Sequence, residues 1–223
     1  VRFFLYYFIF RIFLGSPLLA LFIIFFLYLI IDRQFIGLFP DFLKPFKRSS
    51  RIKALKELVK LNPANVDGYK ELGQLYLEGK KYTQAVEYFE KCLEKMAEYA
   101  DIHFYLGKGL YLMGQKEEGC KEITKALSIS PKIAYGEPYI YLLEYQLDNN
   151  PIPEKVNEFL KKIWQFGTPE ILYKCGSILL KYDSIKGREL LQEAVSNYKA
   201  MPGNFRKLHR RWAFLARLKL FSR

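Results

Sequence analysis

Three cysteines and two histidines are the only thiol or imidazole groups in the 223 residues, and their spacing builds neither a metal site nor a redox pair. Cys92, Cys120 and Cys175 fall on helix-like stretches with no close pairing. An odd, scattered count argues against a disulfide framework and suits a reducing compartment. Carboxylates are plentiful, but a pair such as Glu117-Glu118 reads as the solvated charge of a helix surface. A phosphate-cradling glycine loop, a dinucleotide fingerprint, HExxH and GxSxG are all absent. No catalytic residue, cofactor or metal is expected, and the chain is read as a non-enzyme.

The remaining chemistry is recognition by charge. The formal net charge is +12, unevenly spread. Residues 1–53 carry +6 and residues 199–223 carry +8 with no acid, which leaves −2 for the body between them. Lys44, Lys47 and Arg48 lie in the first basic segment, and Arg206, Lys207, Arg210 and Arg211 in the second. These are candidates for contact with anionic lipid heads or with an acidic protein partner. Nucleic acid is not expected, because no recognised binding motif accompanies the basic ends.

The elements that must carry these residues show a repeat. Leu72-Gly73 recurs as Leu106-Gly107 after 34 residues, and Cys92 recurs as Ala126 at the same spacing. The first copy reads Tyr69, Leu72, Gly73, Tyr76, Ala85, Phe89 and Cys92, with Ala97 where a proline is usual. The second reads His103, Leu106, Gly107, Leu110, Gly119, Ile123, Ala126 and Pro131. Small residues let two helices of a pair approach, large ones fill the space between them, and the proline ends the second helix. Through these residues the chain resembles the tetratricopeptide repeat (TPR) family over roughly residues 50 to 202. The resemblance implies an all-α, right-handed solenoid of helix pairs that binds proteins. No stretch of alternating β-branched residues suggests a sheet.

The register divides the solenoid, residues 51–202, into a half repeat at 51–63, repeats at 66–99 and 100–133, a degenerate copy at 134–168 and a last copy at 169–202. The degenerate copy has a long internal turn at Asn149-Asn150-Pro151-Ile152-Pro153. Beyond Pro202-Gly203-Asn204, residues 203–223 read as a basic capping helix through Phe205, Leu208, Trp212, Leu215 and Ala216.

In TPR proteins the first helix of each pair lines a concave groove. The resemblance therefore implies a partner-binding groove of Lys70, Gln74 and Leu77, then Phe104, Lys108 and Tyr111, then Tyr139 and Leu142, then Tyr173 and Ser177. Such a surface is aromatic with a few cations and suits an extended peptide, or a helix with apolar anchors and an acid. Lys70 matches the first lysine of the TPR subtype that grips a C-terminal carboxylate. Gln74 and Tyr105 stand at two of its asparagine positions, a departure from that pattern.

The N-terminal stretch reads as a membrane segment. Residues 12–31 run for 20 residues without charge, enough at about 1.5 Å per residue for the roughly 30 Å hydrocarbon core. Residues 1–31 are accordingly expected to form a single uncleaved transmembrane anchor. Six cations follow the run between Arg33 and Lys53, against Arg2, Arg11 and the terminal amine before it, which places the solenoid in the cytoplasm. Residues 32–50 form a basic, aromatic juxtamembrane segment, either an interfacial anchor or a linker that packs on the solenoid. The function expected is that of a single-pass membrane adaptor holding a protein partner in a membrane assembly. Alternatives are a permanent structural subunit of such a complex or, with topology reversed, an extracytoplasmic assembly chaperone.

Overall fold

A computed structural model describes residues 2–35, 44–96, 98–149 and 151–221. Among the described residues the chain is helical throughout. Its elements are α1 (Arg2–Leu14), α2 (Pro17–Phe35), α3 (Lys44–Leu61), α4 (Val66–Glu78), α5 (Tyr82–Leu93), α6 (Ala100–Met113) and α7 (Lys116–Ile129). After a 3-10 turn at Ile133–Gly136 come α8 (Glu137–Asp148), α9 (Pro153–Phe166), α10 (Pro169–Leu179), α11 (Ser184–Ala200) and α12 (Gly203–Phe221).

From α4 onward the helices pack as successive pairs, α4 with α5, α6 with α7, α8 with α9 and α10 with α11, each pair leaning on the next. Local chemistry sets the boundaries. Asn65 caps α4 by accepting from the Gly68 N–H at 2.9 Å. Asp183 caps α11 by accepting from the N–H groups of Ile185 and Lys186. Such caps satisfy donors that the first helical turn leaves open. Gly114 ends α6 with φ +102°, a conformation glycine adopts without strain. Close approach within the second pair depends on Gly107 and Gly119. A Cβ on Gly107 would meet the Gly119 carbonyl oxygen at 2.6 Å and Ile123 Cγ1 at 2.8 Å.

The interior divides into three clusters along the stack. One gathers Leu55, Val59, Leu72, Ala85, Phe89 and Cys92. The next holds Phe104, Tyr111, Cys120, Ile123, Ala126 and Leu142. The last runs from Ile140 and Leu143 through Leu172, Cys175 and Leu191 to Ala216. All three thiols are buried, one in each cluster, and burial pushes each up, to about 11 for Cys92 and Cys120 and to about 12 for Cys175.

The N-terminal expectations are corrected. No helix among the described residues is long and apolar enough to cross a membrane. The run at 12–31 is not one helix. Gly15 takes φ +64° and divides it, so that α1 stops at Leu14 and α2 starts at Pro17. The uncharged part of α2, residues 17–31, rises about 22 Å against the roughly 30 Å of a hydrocarbon core. Its last turn carries Asp32, buried at 2% exposure. Instead α1 and α2 pack on each other, with Ala20 and Ile24 buried and rings such as Phe4 and Phe22 exposed. The transmembrane helix, the single-pass membrane location with a cytoplasmic solenoid, and the membrane as a partner through residues 12–31 all fall with this finding.

Residues 36–43 of the juxtamembrane segment lie outside the described residues, as do Ala97 and Asn150 of the repeat register. Of the rest of that segment, residues 32–35 end α2 and residues 44–50 are the first part of α3, which docks on α4.

Candidate protein-binding face

The first helix of each pair contributes to one continuous strip of charge and ring contacts. At its upper end Lys70 of α4 reaches Asp101 of α6 at 3.2 Å and Asp67 at 3.4 Å. Partial burial would lower this ammonium, but the two carboxylates outweigh it and hold its pKa above the usual value. A cleft of about 280 Å³ opens beside it, lined by Asn65, Asp67, Tyr99 and Ile102 among others. One turn further along α4, Gln74 stands beside Tyr105 of α6, whose ring stacks on Phe89 at 5.7 Å.

The centre of the strip is Glu137, the first residue of α8. Its Oε1 accepts from Lys108 Nζ at 2.7 Å and from the Tyr141 hydroxyl at 3.3 Å, and Lys174 of α10 lies 3.8 Å away. The Lys108 and Glu137 side chains are only 20% and 18% exposed, so the pair is shielded from bulk solvent yet still reachable. Lys108 also lies over the rings of Phe104 and Tyr141, at 5.7 Å and 5.9 Å. Burial, then the negative charge of Glu137, pushes the Tyr141 phenol up, so it stays a neutral donor to that carboxylate. The lower end is aromatic. Tyr173 of α10 meets Trp212 of α12 at 5.5 Å, Lys174 lies over Trp212 at 5.5 Å, and Lys219 lies over Tyr173 at 5.6 Å.

Of the residues expected in the groove, this strip unites Lys70, Gln74, Lys108 and Tyr173. Leu77 is half-buried and packs on the first core cluster. Phe104 and Tyr139, at 1% and 6% exposure, fill the interior, and Tyr139 donates to the Pro131 carbonyl. Tyr111 is buried too, and its hydroxyl donates to Glu144 at 3.2 Å near the turns of the pairs. At the same edge Lys116 of α7, Asp148 of α8 and Tyr182 after α10 join three successive pairs through the Asp148 carboxylate.

Sequence reasoning missed Glu137, Tyr141, Lys174 and Trp212 as members of the strip. Trp212 was visible only as a recurrence in a capping helix. Glu137 lies in the degenerate copy, where the 34-residue register gives no guide, and Lys174 lies next to Tyr173 in the last copy.

The basic residues expected to touch lipid or an acidic partner are largely engaged within the fold. Lys44 pairs with Glu78 at 2.9 Å, and Arg48 donates to the Glu78 carbonyl. Arg206 donates to the carbonyls of Met201 and Lys199, both at 2.7 Å, and so closes the end of α11. Arg210 is half-buried, Arg211 lies over Trp212 at 5.4 Å, and Lys47 and Lys207 are exposed. Among the described residues no group of three His, Cys, Asp or Glu is placed to hold a metal ion.

Paired helices stacked in one direction, with an open face lined by their first members, define a right-handed helix-pair repeat scaffold. Comparison with known proteins agrees. The tetratricopeptide repeat family model matches residues 67–94. Superkiller complex protein 3 of mouse is 35% identical over 101 residues, which is 43% of this chain and 6% of that protein. The chain thus spans a small fraction of the curated relative it matches. Among solved structures, yeast Tom70 superposes with a TM-score of 0.60 at 18% identity, over 77% of this chain and 34% of that one. MamA superposes with a TM-score of 0.54 at 18% identity, over 73% of this chain and 97% of that one. These likenesses carry the fold alone.

Proposed function

We propose that this chain is a protein-interaction scaffold whose inner face takes a peptide or helix from a partner protein. The observation that carries the reading is the unbroken strip from Lys70 through Lys108, Glu137 and Lys174 to Trp212, drawn from every first helix between α4 and α12. Half-buried rings give an apolar contact area at low entropic cost, and each lysine beside them can exchange its internal carboxylate for one on a ligand. A ligand with an acid set among apolar anchors fits that arrangement. The resemblance of one stretch to a protein named for a complex supports a role in assembly.

The test is to pan a phage library of random peptides against the chain. Enriched sequences should bind at least tenfold more weakly to Lys108→Gln with Lys174→Gln, while far-UV circular dichroism stays unchanged. Absence of enrichment, or peptides indifferent to both substitutions, would remove the inner face from the account.

A further inference from the structure

The outer side of α12 carries a seam that the inner face does not use. The helix turns Ala213 and Ala216 into the fold, at 2% and 0% exposure, against α10 and α11. On the other side Lys207, Arg211, Phe214, Leu218 and Phe221 follow one another at steps of four, three, four and three residues. That alternation keeps side chains on one line of a helix and is the spacing by which helices pair. All five are exposed, Leu218 at 58% and Phe221 at 89%. The seam is cationic in its first half and apolar in its second, and α12 contains no acid.

We infer that this seam docks an amphipathic helix of a partner protein, with carboxylates opposite Lys207 and Arg211 and aliphatic side chains opposite Phe214, Leu218 and Phe221. Charge complementarity selects this occupant. A second copy of α12 laid parallel would set Lys207 and Arg211 against themselves. Laid antiparallel, it would set them against Leu218 and Phe221. A lipid surface asks for an apolar line along the whole helix with cations at its flanks, whereas here the cations occupy the line itself. A partner helix running parallel to α12 holds its acids in its own first half, where the helix dipole also favours them.

The probe is a labelled 21-residue helical peptide with Glu at two seam positions and Leu at the three that follow, read by fluorescence anisotropy against the full chain. Saturable binding is expected. It should weaken at least tenfold on Lys207→Glu with Arg211→Glu, and return when the two peptide glutamates become lysines. Both substituted side chains are exposed, so the variant keeps its fold. No binding, or binding indifferent to the charge swap, overturns the proposal. Capture by vesicles of phosphatidylserine and phosphatidylcholine that is stronger than peptide binding and lost on Leu218→Asp assigns the face to lipid and overturns it as well. Neither result touches the test of the inner face, which rests on Lys108 of α6 and Lys174 of α10.

Discussion

Gly107 has no room for even a methyl group. An added Cβ would press on the Gly119 carbonyl and on the Ile123 amide at 2.9 Å, backbone atoms that cannot rotate away. Gly107→Ala should therefore destabilise the chain by about 1–3 kcal/mol in urea unfolding, despite the better helix propensity of alanine. Gly109 supplies the control. Its Cβ would meet only side-chain methyls, Val86 Cγ2 at 3.0 Å and Leu77 Cδ1 at 3.9 Å, and no backbone atom, so Gly109→Ala should be close to neutral. This level of detail was legible in the sequence, because the 34-residue recurrence singles out Gly73 and Gly107 as positions of close approach. The direction of side chains on the same helices was not. Phe104 follows His103 and precedes Tyr105, and only helix packing decides that Phe104 turns inward while Tyr105 joins the strip.

At the scale of elements, the paired helices of the regular copies could be read from their small and large residues, and the Asn/Pro turn at 149–153 marked the third pair as well, but the way the chain enters that pair could not be read. Its entry is a 3-10 turn in which Ala134, Tyr135 and Gly136 all take positive φ, at 48°, 51° and 90°. Two of these are not glycine, so no residue type announces the left-handed path that turns the chain into α8. The split of the N-terminal apolar run was similarly hidden. Gly15 and Pro17 fit either a kinked span or two helices, and hydropathy alone does not distinguish them. Between pairs, Asp148 acts as a tie. Hydrogen bonds from Lys116 and then Tyr182 hold its carboxyl below its ordinary value. A carboxyl lowered on folding stabilises the fold above its unfolded pKa, near 3.9, and loses that contribution as pH falls through the folded value. Asp148→Asn should thus be less stable than the parent by up to about 1 kcal/mol at neutral pH. The gap should stay level down to about pH 5 and close below pH 4 in thermal melts followed by circular dichroism.

Among the described residues α3 to α12 form a line of neighbours, in which each pair rests on the next and no cluster spans the full length. Stability in such a stack is a sum of local terms joined by interfaces. Phe89 is fully buried in the first cluster, and Phe89→Ala should cost about 3–5 kcal/mol there. Amide hydrogen exchange should quicken in α4 and α5 while α10 and α11 keep their protection, and uniform quickening would mean that the stack unfolds as one unit.

The distribution of the thiols turns this into a clock that needs no label. Cys92, Cys120 and Cys175 each sit in a different cluster, Cys92 and Cys175 with no exposed surface and Cys120 at 8% exposure beside a surface hollow. Cys92 and Cys175 cannot react with an alkylating reagent until their own parts of the stack open, whereas Cys120 is only slowed. A pulse of iodoacetamide followed by mass mapping would then time the opening of the first and last clusters in one unmodified chain, and the order in which Cys92 and Cys175 are tagged would be the order in which the two ends of the solenoid come apart.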